Sequence, residues 1–410
     1  QFSRHPFSAP SARPRGALTR MSCRGLLPNG NGIPFWGNIT GSPTEQGPTL
    51  ALVGDTFIDL IIRLSDERLP VWGEDLLSKH PFTIAAGGSA LNTAVHAAEV
   101  GDRYCCQVQL HSPVGSDSLA QTARSRLKDA GVELFAPATL REEASGSCLV
   151  LAGPRDRAFA SYRGGVALFR TEDLDAGTLH QAHHVHVAGF YNCTMLGEGL
   201  PELLASLRNQ GVGVSLCPQF DAHQTWQGLE PLYPHLDYLV VNAVEALSLL
   251  QGKTASEAEV DEIGNLESGV AARVGRSFLD KGVKCVVITA GKAGALAIYE
   301  EEHSAVAEDK EASKDVPEGE GDPPATPLVL LHQRATDLKV VDATGAGDAF
   351  AAGFLQEILH HSSDDLGAGP RQKYLSALRR GCSFGSAAVE VVGASAPLDL
   401  GRIRKIADDM

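Results

Sequence analysis

The run Val340-Val341-Asp342-Ala343-Thr344-Gly345-Ala346-Gly347-Asp348-Ala349-Phe350 holds the most chemically specific pattern in the chain. An apolar strand end passes through a glycine-spaced turn into a helix carried by Ala349, Ala351, Ala352, Phe354, Leu355 and Ile358. A helix N-terminus exposes unpaired N–H groups and the positive end of a dipole, so it attracts anions. Gly345 and Gly347 allow the backbone to come close to a phosphate. A carboxylate at Asp348 would repel that phosphate unless a hydroxyl lay between them. The arrangement therefore suits phosphoryl transfer to an alcohol. The amides of Gly345, Ala346 and Gly347 would meet the migrating charge, and Asp348 would take the proton. Without chemistry, the same residues give a tight strand-to-helix turn in which Asp348 complements the helix dipole.

Such residues need a rigid frame, and the chain supplies one from Thr49 onward. Apolar strands at 50–53, 104–110, 185–188, 212–217, 238–241 and 285–289 alternate with helices at 89–100, 118–130, 200–210, 244–250 and 270–281. This alternation predicts an α/β domain over residues 49–410 with a mainly parallel central sheet and helices on both faces. Gly101, Gly131 and Gly282 read as helix C-caps. The segments 57–86 and 146–163 break the rhythm with strand-like stretches and no helix between them. They are expected to pair as a small separate sheet, a β lid over the mouth of the core. Strand-like stretches at 295–299 and 328–331 suggest a hairpin whose loop is expanded by an acidic insert over about 300–327.

Composition narrows the function classes. The 410 residues are 43% hydrophobic and 21% charged, as in a globular chain whose length alone allows two or three domains. No run of 18 apolar residues occurs, which argues against a membrane span. The net charge is −15 and unevenly spread: residues 1–44 carry +5 from arginines alone and 300–322 carry −8, which leaves −12 for the rest. No concentrated basic face for nucleic acid is evident. Residues 1–48 are basic and free of apolar periodicity, as in a disordered extension or an organellar transit segment. Eight cysteines without a C-x-x-C pair indicate a reduced, intracellular setting, either cytoplasmic or, with a transit segment, plastid or mitochondrial. Asn38 and Asn192 begin sequons that read as chance. His183, His184 and His186 lack a nearby acid or cysteine, so a structural role is expected rather than a metal site. The P-loop, the G-x-G-x-x-G fingerprint, H-E-x-x-H and G-x-S-x-G are all absent.

The segment 342–348 resembles the C-terminal signature of the PfkB/ribokinase carbohydrate kinases. Gly87-Gly88-Ser89-Ala90-Leu91-Asn92 is similar to the family's N-terminal glycine pair. Asn242-Ala243-Val244-Glu245 is similar to its N-x-x-E element, although alone it reads equally as a helix capping box. Thr289-Ala290-Gly291-Lys292-Ala293-Gly294 is similar to its T-x-G-x-x-G nucleotide segment. The four motifs fall in the family's order across residues 50–395.

The resemblance implies a ribokinase-like fold and an ATP-dependent sugar kinase with Asp348 as base. It implies that Asp59, Gly87, Gly88 and Asn92 contact the acceptor and that Asn242, Thr289, Gly291 and Gly294 lie along ATP. Glu245, with Asn242, would organise Mg²⁺ through water, whereas Asp342 and Thr344, with Gly393, match a loop for a monovalent cation such as K⁺. A homodimer formed through the lid is a further expectation. Ser89 departs from the lysine usual in ribokinases, Thr344 from the asparagine usual in nucleoside kinases, and Cys217 from an aspartate common in sugar-kinase relatives. The alternatives are an adenosine-type nucleoside kinase and a catalytically silent scaffold.

Overall fold

The computed structural model describes residues 47–410 other than 65–70, 76, 79, 100–105, 154–156, 266–268, 302–326 and 365–368. Nearly all of the basic segment 1–48, the acidic insert and Gly101 lie outside the described residues.

Short β-branched and leucine-rich runs form thirteen described strands. They are β1 (Thr49–Gly54), β2 (Phe57–Arg63), β3 (Thr83–Gly87), β4 (Gln107–His111), β5 (Glu133–Phe135), β6 (Gly146–Ala152), β7 (Arg157–Tyr162), β8 (His184–Ala188), β9 (Gly213–Cys217), β10 (Tyr238–Asn242), β11 (Cys285–Thr289), β12 (Ala295–Glu300) and β13 (Leu328–Gln333). The helices are α1 (Ser89–Glu99), α2 (Ala120–Ala130), the single turns α3 (Gly165–Leu168) and α4 (Ala176–Leu179), α5 (Leu200–Asn209), α6 (Ala243–Gln251), α7 (Glu257–Gly264), α8 (Val270–Leu279), α9 (Ala346–Asp364), α10 (Pro370–Ala388) and α11 (Leu400–Asp409).

Nine strands form one sheet in the order β13-β12-β11-β10-β9-β8-β1-β4-β5. All pairs from β11 to β5 are parallel, while β12 and β13 add an antiparallel edge. The side-chain period of two sends alternate residues to opposite faces. Ala51, Val53, Leu239, Val241, Val286 and Ile288 join one core with Leu204, Val274 and Phe278 from α5 and α8. Leu50, Leu52, Tyr238, Val240, Cys285 and Val287 join the other with Leu91, Phe354 and Phe384 from α1, α9 and α10. Helices thus cover both faces, as the sequence pattern requires.

The remaining four strands form the small sheet β3-β2-β6-β7, matching the expected segments. The β12–β13 hairpin across the insert is also as expected. Several elements escaped the sequence pattern: β5, the single turns α3 and α4, and the helices α7, α10 and α11. The α10 helix buries Arg380, whose Nη2 donates to Gln356 Oε1 at 2.8 Å, and packs small residues closely against α9: a Cβ on Gly381 would stand 2.7 Å from the Phe350 ring. A polar, small-residue interface leaves no apolar period to read.

The histidines are structural. His184 Nε2 and His186 Nδ1 each lie 2.7 Å from Ser215 Oγ, and burial holds the two rings down at about 4 and about 3. No cluster of metal-ligating side chains occurs among the described residues. Nor is any described helix long and apolar enough to cross a membrane.

Gly54 ends β1 at φ +153°, where a Cβ would stand 1.8 Å from the Ala188 carbonyl oxygen. Gly131 caps α2 at φ +80° with nothing within 4 Å. Gly131→Ala should therefore lose only the conformational preference, about 1–2 kcal/mol. Gly54→Ala should lose more than about 3 kcal/mol by adding a backbone overlap. Chemical denaturation of the two variants checks this order.

Candidate active site

The carboxyl ends of parallel strands, where chains turn into helices, are where an open α/β sheet gathers side chains. Here β1 delivers Asp55, β9 delivers Gln219 and β10 delivers Asn242, while α1 and α9 begin at the same edge with Ser89 and Ala346. The small sheet contributes Asp59 from β2 and Gly87 from β3.

Asp348 lies in the first turn of α9 and is buried. Its Oδ1 accepts from Ser89 Oγ at 2.7 Å and from Gln219 Nε2 at 3.2 Å, and its Oδ2 accepts from Asn92 Nδ2 at 2.8 Å. Gln219 Nε2 also donates to Ser89 Oγ at 2.8 Å, so the hydroxyl relays one donor to the carboxylate. Burial pushes Asp348 up to about 7; the Asn92 and Ser89 bonds oppose this, and Asp55 and Asp59 add to it.

Asp59 is buried and pushed up to about 7, again by burial first and then by Asp55 and Asp342. Asp55 Oδ1 accepts the Ala90 N–H at 3.0 Å and its Oδ2 accepts Asn192 Nδ2 at 2.8 Å. Burial raises Asp55 as well, against those bonds. Asp55 thus joins the β1 turn, the start of α1 and the loop after β8. The Asn192 amide is committed to this bond.

The glycine pair allows close approach. A Cβ on Gly87 would fall 2.2 Å from Asp59 Oδ2, and Gly88, at φ +98°, would place one 2.7 Å from the Asp55 carbonyl oxygen. The loop before α9 is braced similarly, since Gly345 has φ +78° and a Cβ there would stand 2.6 Å from the Ala394 carbonyl oxygen. Gly347 has open space where a Cβ would go, on the wall of a cavity of about 380 Å³. Asn242, Thr289, Gly291, Gly294, Ala346 and Gly347 line that cavity, with Leu338, Phe350 and Val389 forming apolar wall. A pocket of this size and mixed lining suits a heteroaromatic ring with a polar tail.

Asn242 and Glu245 make a reciprocal capping box: Asn242 Oδ1 accepts the Glu245 N–H at 2.8 Å, and Glu245 Oε2 accepts the Asn242 N–H at 3.0 Å. The capping reading of this motif therefore holds. Glu245 is nonetheless buried and raised to about 7, by burial against the Asn242 bond and then by Asp348, so it shares the field of the site. Asp342 Oδ1 accepts from the N–H and Oγ1 of Thr344 at 2.9 and 2.6 Å, and its Oδ2 accepts the Gly393 N–H at 3.0 Å. Arg157 of β7 lies 3.8 Å from Asp342 Oδ1. Despite burial, these donors keep Asp342 below the usual carboxylate range.

The structure therefore brings the expected residues to one edge in two groups. Asp59, Gly87, Gly88, Asn92 and Asp348 gather on one side; Asn242, Thr289, Gly291, Gly294 and Gly347 line the adjoining cavity. Asn92, expected at the acceptor, spends its amide on Asp348, while its buried Oδ1 has no hydrogen-bond partner among the described residues. Sequence reasoning missed Asp55 as a clamp and Gln219 altogether. Gln219 adopts φ +66°, which a non-glycine side chain rarely does, and nothing in Cys217-Pro218-Gln219 announces it. Such strain of roughly 1–3 kcal/mol persists where surroundings enforce it.

The family comparisons agree with this geometry. The model of the pfkB family of carbohydrate kinases matches residues 48–316 and 329–400. Mouse ribokinase is 24% identical over 307 residues, 75% of this chain and 80% of the relative. An adenosine kinase of Schizophyllum commune is 24% identical over 345 residues, 78% and 87% of the two chains. The structure of Arabidopsis thaliana ribokinase complexed with ribose and ATP superposes with a TM-score of 0.64 at 20% identity, covering 88% of this chain and 99% of that one. Ribokinase from Giardia lamblia gives 0.67 at 12% identity, covering 87% and 99%. The fold is thus ribokinase-like, and the protein is a phosphotransferase with an alcohol group as acceptor. It belongs to the pfkB family of carbohydrate kinases.

Gln219→Gly should change stability by less than about 1 kcal/mol, since relief of the left-handed strain offsets loss of the donor to Ser89 and Asp348. The same change removes a donor from Asp348 and should lower turnover. Denaturation and steady-state rates on one preparation test the pair. A second expectation concerns pH. Asp348 binds its proton more tightly folded than unfolded, so its contribution to stability falls as pH rises from about 4 through about 7. Asp348→Asn should accordingly melt higher than the parent at pH 8, with an advantage that shrinks on acidification and is gone near pH 4.

Proposed function

We propose that the protein transfers the γ-phosphoryl group of ATP to a hydroxyl of a small sugar. Asp348 is the general base, and the amides of Gly345, Ala346 and Gly347 form the anion hole. The observation that carries this reading is a buried carboxylate at a helix N-terminus, ringed by neutral donors and next in the chain to Ala346 and Gly347, which line the cavity. In that position Asp348 can take a hydroxyl proton while the helix amides meet developing negative charge.

ATP would lie in the cavity beside Asn242, Thr289, Gly291 and Gly294. Glu245 and Asn242 would hold Mg²⁺ through water; the ion would neutralise charge on the transferring phosphates. Asp342 and Thr344 are the residues that would hold a monovalent cation such as K⁺, with Arg157 already placing a positive charge beside them. Asp59, Gly87, Gly88 and Asn92 would receive the acceptor. Residues 49–410 act as one catalytic domain, with 57–86 and 146–163 as its lid.

A sugar is favoured over a nucleoside because the acceptor side carries Asp59 and the Oδ1 of Asn92, polar groups that meet hydroxyls rather than a flat apolar base. One face of the small sheet exposes Leu60, Ile84 and Tyr162 at 37%, 55% and 61%. We propose that a second copy of the chain covers it. Leu60→Glu should then shift a dimer to monomer in sedimentation.

ATP consumption over a panel of pentoses, hexoses and nucleosides, with Mg²⁺ present, identifies the acceptor. Turnover on a sugar should fall by ~10² or more in Asp348→Asn. Equal rates in parent and variant would remove Asp348 from the chemistry.

A further inference from the structure

The opposite edge of the large sheet holds a second cavity. The amino ends of β8, β9, β10 and β11 and the flanks of α5, α9 and α10 enclose about 800 Å³. Its wall carries three cations, Arg208, Lys284 and Lys373, against one carboxylate, Asp237.

That carboxylate is fully engaged. Asp237 Oδ2 accepts the Val214 N–H at 2.8 Å, while Oδ1 accepts from Arg208 Nη1 and lies 3.0 Å from Lys284 Nζ. Burial works against its ionisation, yet these donors hold it below the usual carboxylate range. Lys373 is half-buried, and no hydrogen bond or ion pair reaches its Nζ among the described residues. Burial lowers its ammonium, and the Asp237 charge opposes that. One carboxylate for three cations leaves two positive charges facing the space.

The lining imidazoles do not offset them. His180 is committed to Ala176 O and Ser206 Oγ at 2.6 and 2.9 Å, and His183 Nδ1 to the Thr49 N–H at 3.0 Å. Val212, Tyr238, Ile358 and Leu359 supply an apolar wall alongside.

We propose that this cavity is a second ligand site, for the phosphate group of a small molecule. Two uncompensated cations match a dianion, and lysine ammonium groups pair with phosphate as point charges. The apolar wall would take the carbon skeleton of an ester, and the volume falls within the range of small-molecule pockets, roughly 300–1,000 Å³. Each intervening strand is five residues long, as in β8, so about 16 Å of sheet separates this site from the Asp348 edge. Occupants of the two edges do not compete for space.

Thermal melting of the full chain, in chloride buffer titrated with inorganic phosphate or phenyl phosphate, tests the site. The parent should show a saturable rise in melting temperature with phosphate. A tighter response to phenyl phosphate identifies an organic ester as the natural source; an equal response identifies free phosphate. The double variant Lys284→Gln/Lys373→Gln should weaken the apparent Kd by about tenfold or more. Phosphate bound at the start of α9 would be unaffected by that variant, because its loop is untouched. Lys373→Gln alone should melt no lower than the parent in the chloride buffer without phosphate, since it removes an unpaired cation, so loss of response is not loss of fold. A rise that the double variant retains, or that sodium chloride reproduces at matched ionic strength, would overturn the proposal, as would no rise in the parent.

Discussion

A carboxylate held out of water by neutral donors is the constraint around which this edge of the molecule is organised. Asp348 accepts hydrogen bonds from Ser89, Asn92 and Gln219, while Asp55 and Asp59 raise its proton affinity. A lysine or arginine in their place would stabilise the charged form and leave a poor base at neutral pH. Neutral donors fix the geometry and leave the proton affinity high. The departure at Ser89 acquires a meaning here: a hydroxyl relays the Gln219 amide to the carboxylate where a lysine would have added charge.

Holding that carboxylate depends on backbone contacts that only glycine permits. Gly54 lets β1 close against β8, Gly88 lets the small sheet cross the β1 turn, and Gly345 seats the α9 loop against Ala394. Asp55 pins three of these segments with two hydrogen bonds. The helix amides and Asp348 are then fixed relative to each other by core packing on both sides of the sheet. Little reorganisation would then be left for the proposed base and anion hole, which is how electrostatic stabilisation becomes effective.

Much of this was legible in the sequence. Strand and helix periods gave the layered α/β architecture because parallel strands are buried on both faces and read as unbroken apolar runs. The small sheet was visible from paired strand-like segments without helices. Motif spacing located Asp348, Gly345 and the glycine pair, because backbone requirements leave a mark on residue type. Gln219 left none: its left-handed conformation is imposed by the loop, and glutamine has no preference that reveals it. Asn92 was placed near the acceptor but turns its amide to Asp348, a choice set by tertiary contact alone. The α10 helix was hidden because its buried face carries Arg380 and glycines. Asn242 and Glu245 satisfied both a capping pattern and a site pattern, and the structure realises the first while keeping Glu245 in the field of the second.

The net charge of the chain is a poor guide to what its two edges attract. A body of −12 carries a carboxylate-rich edge beside a helix N-terminus and, across the sheet, a cavity with excess positive charge. Local amides and a few fixed cations, not the overall field, would decide anion binding at either edge. The proton affinity of Asp348 is the property on which the proposed chemistry turns. Carbon-13 NMR of aspartate carboxyls, with the Asp348 signal assigned by its absence in Asp348→Asn, measures that affinity directly. A midpoint near 7 is predicted; a midpoint near the ordinary value of about 4 would contradict the account.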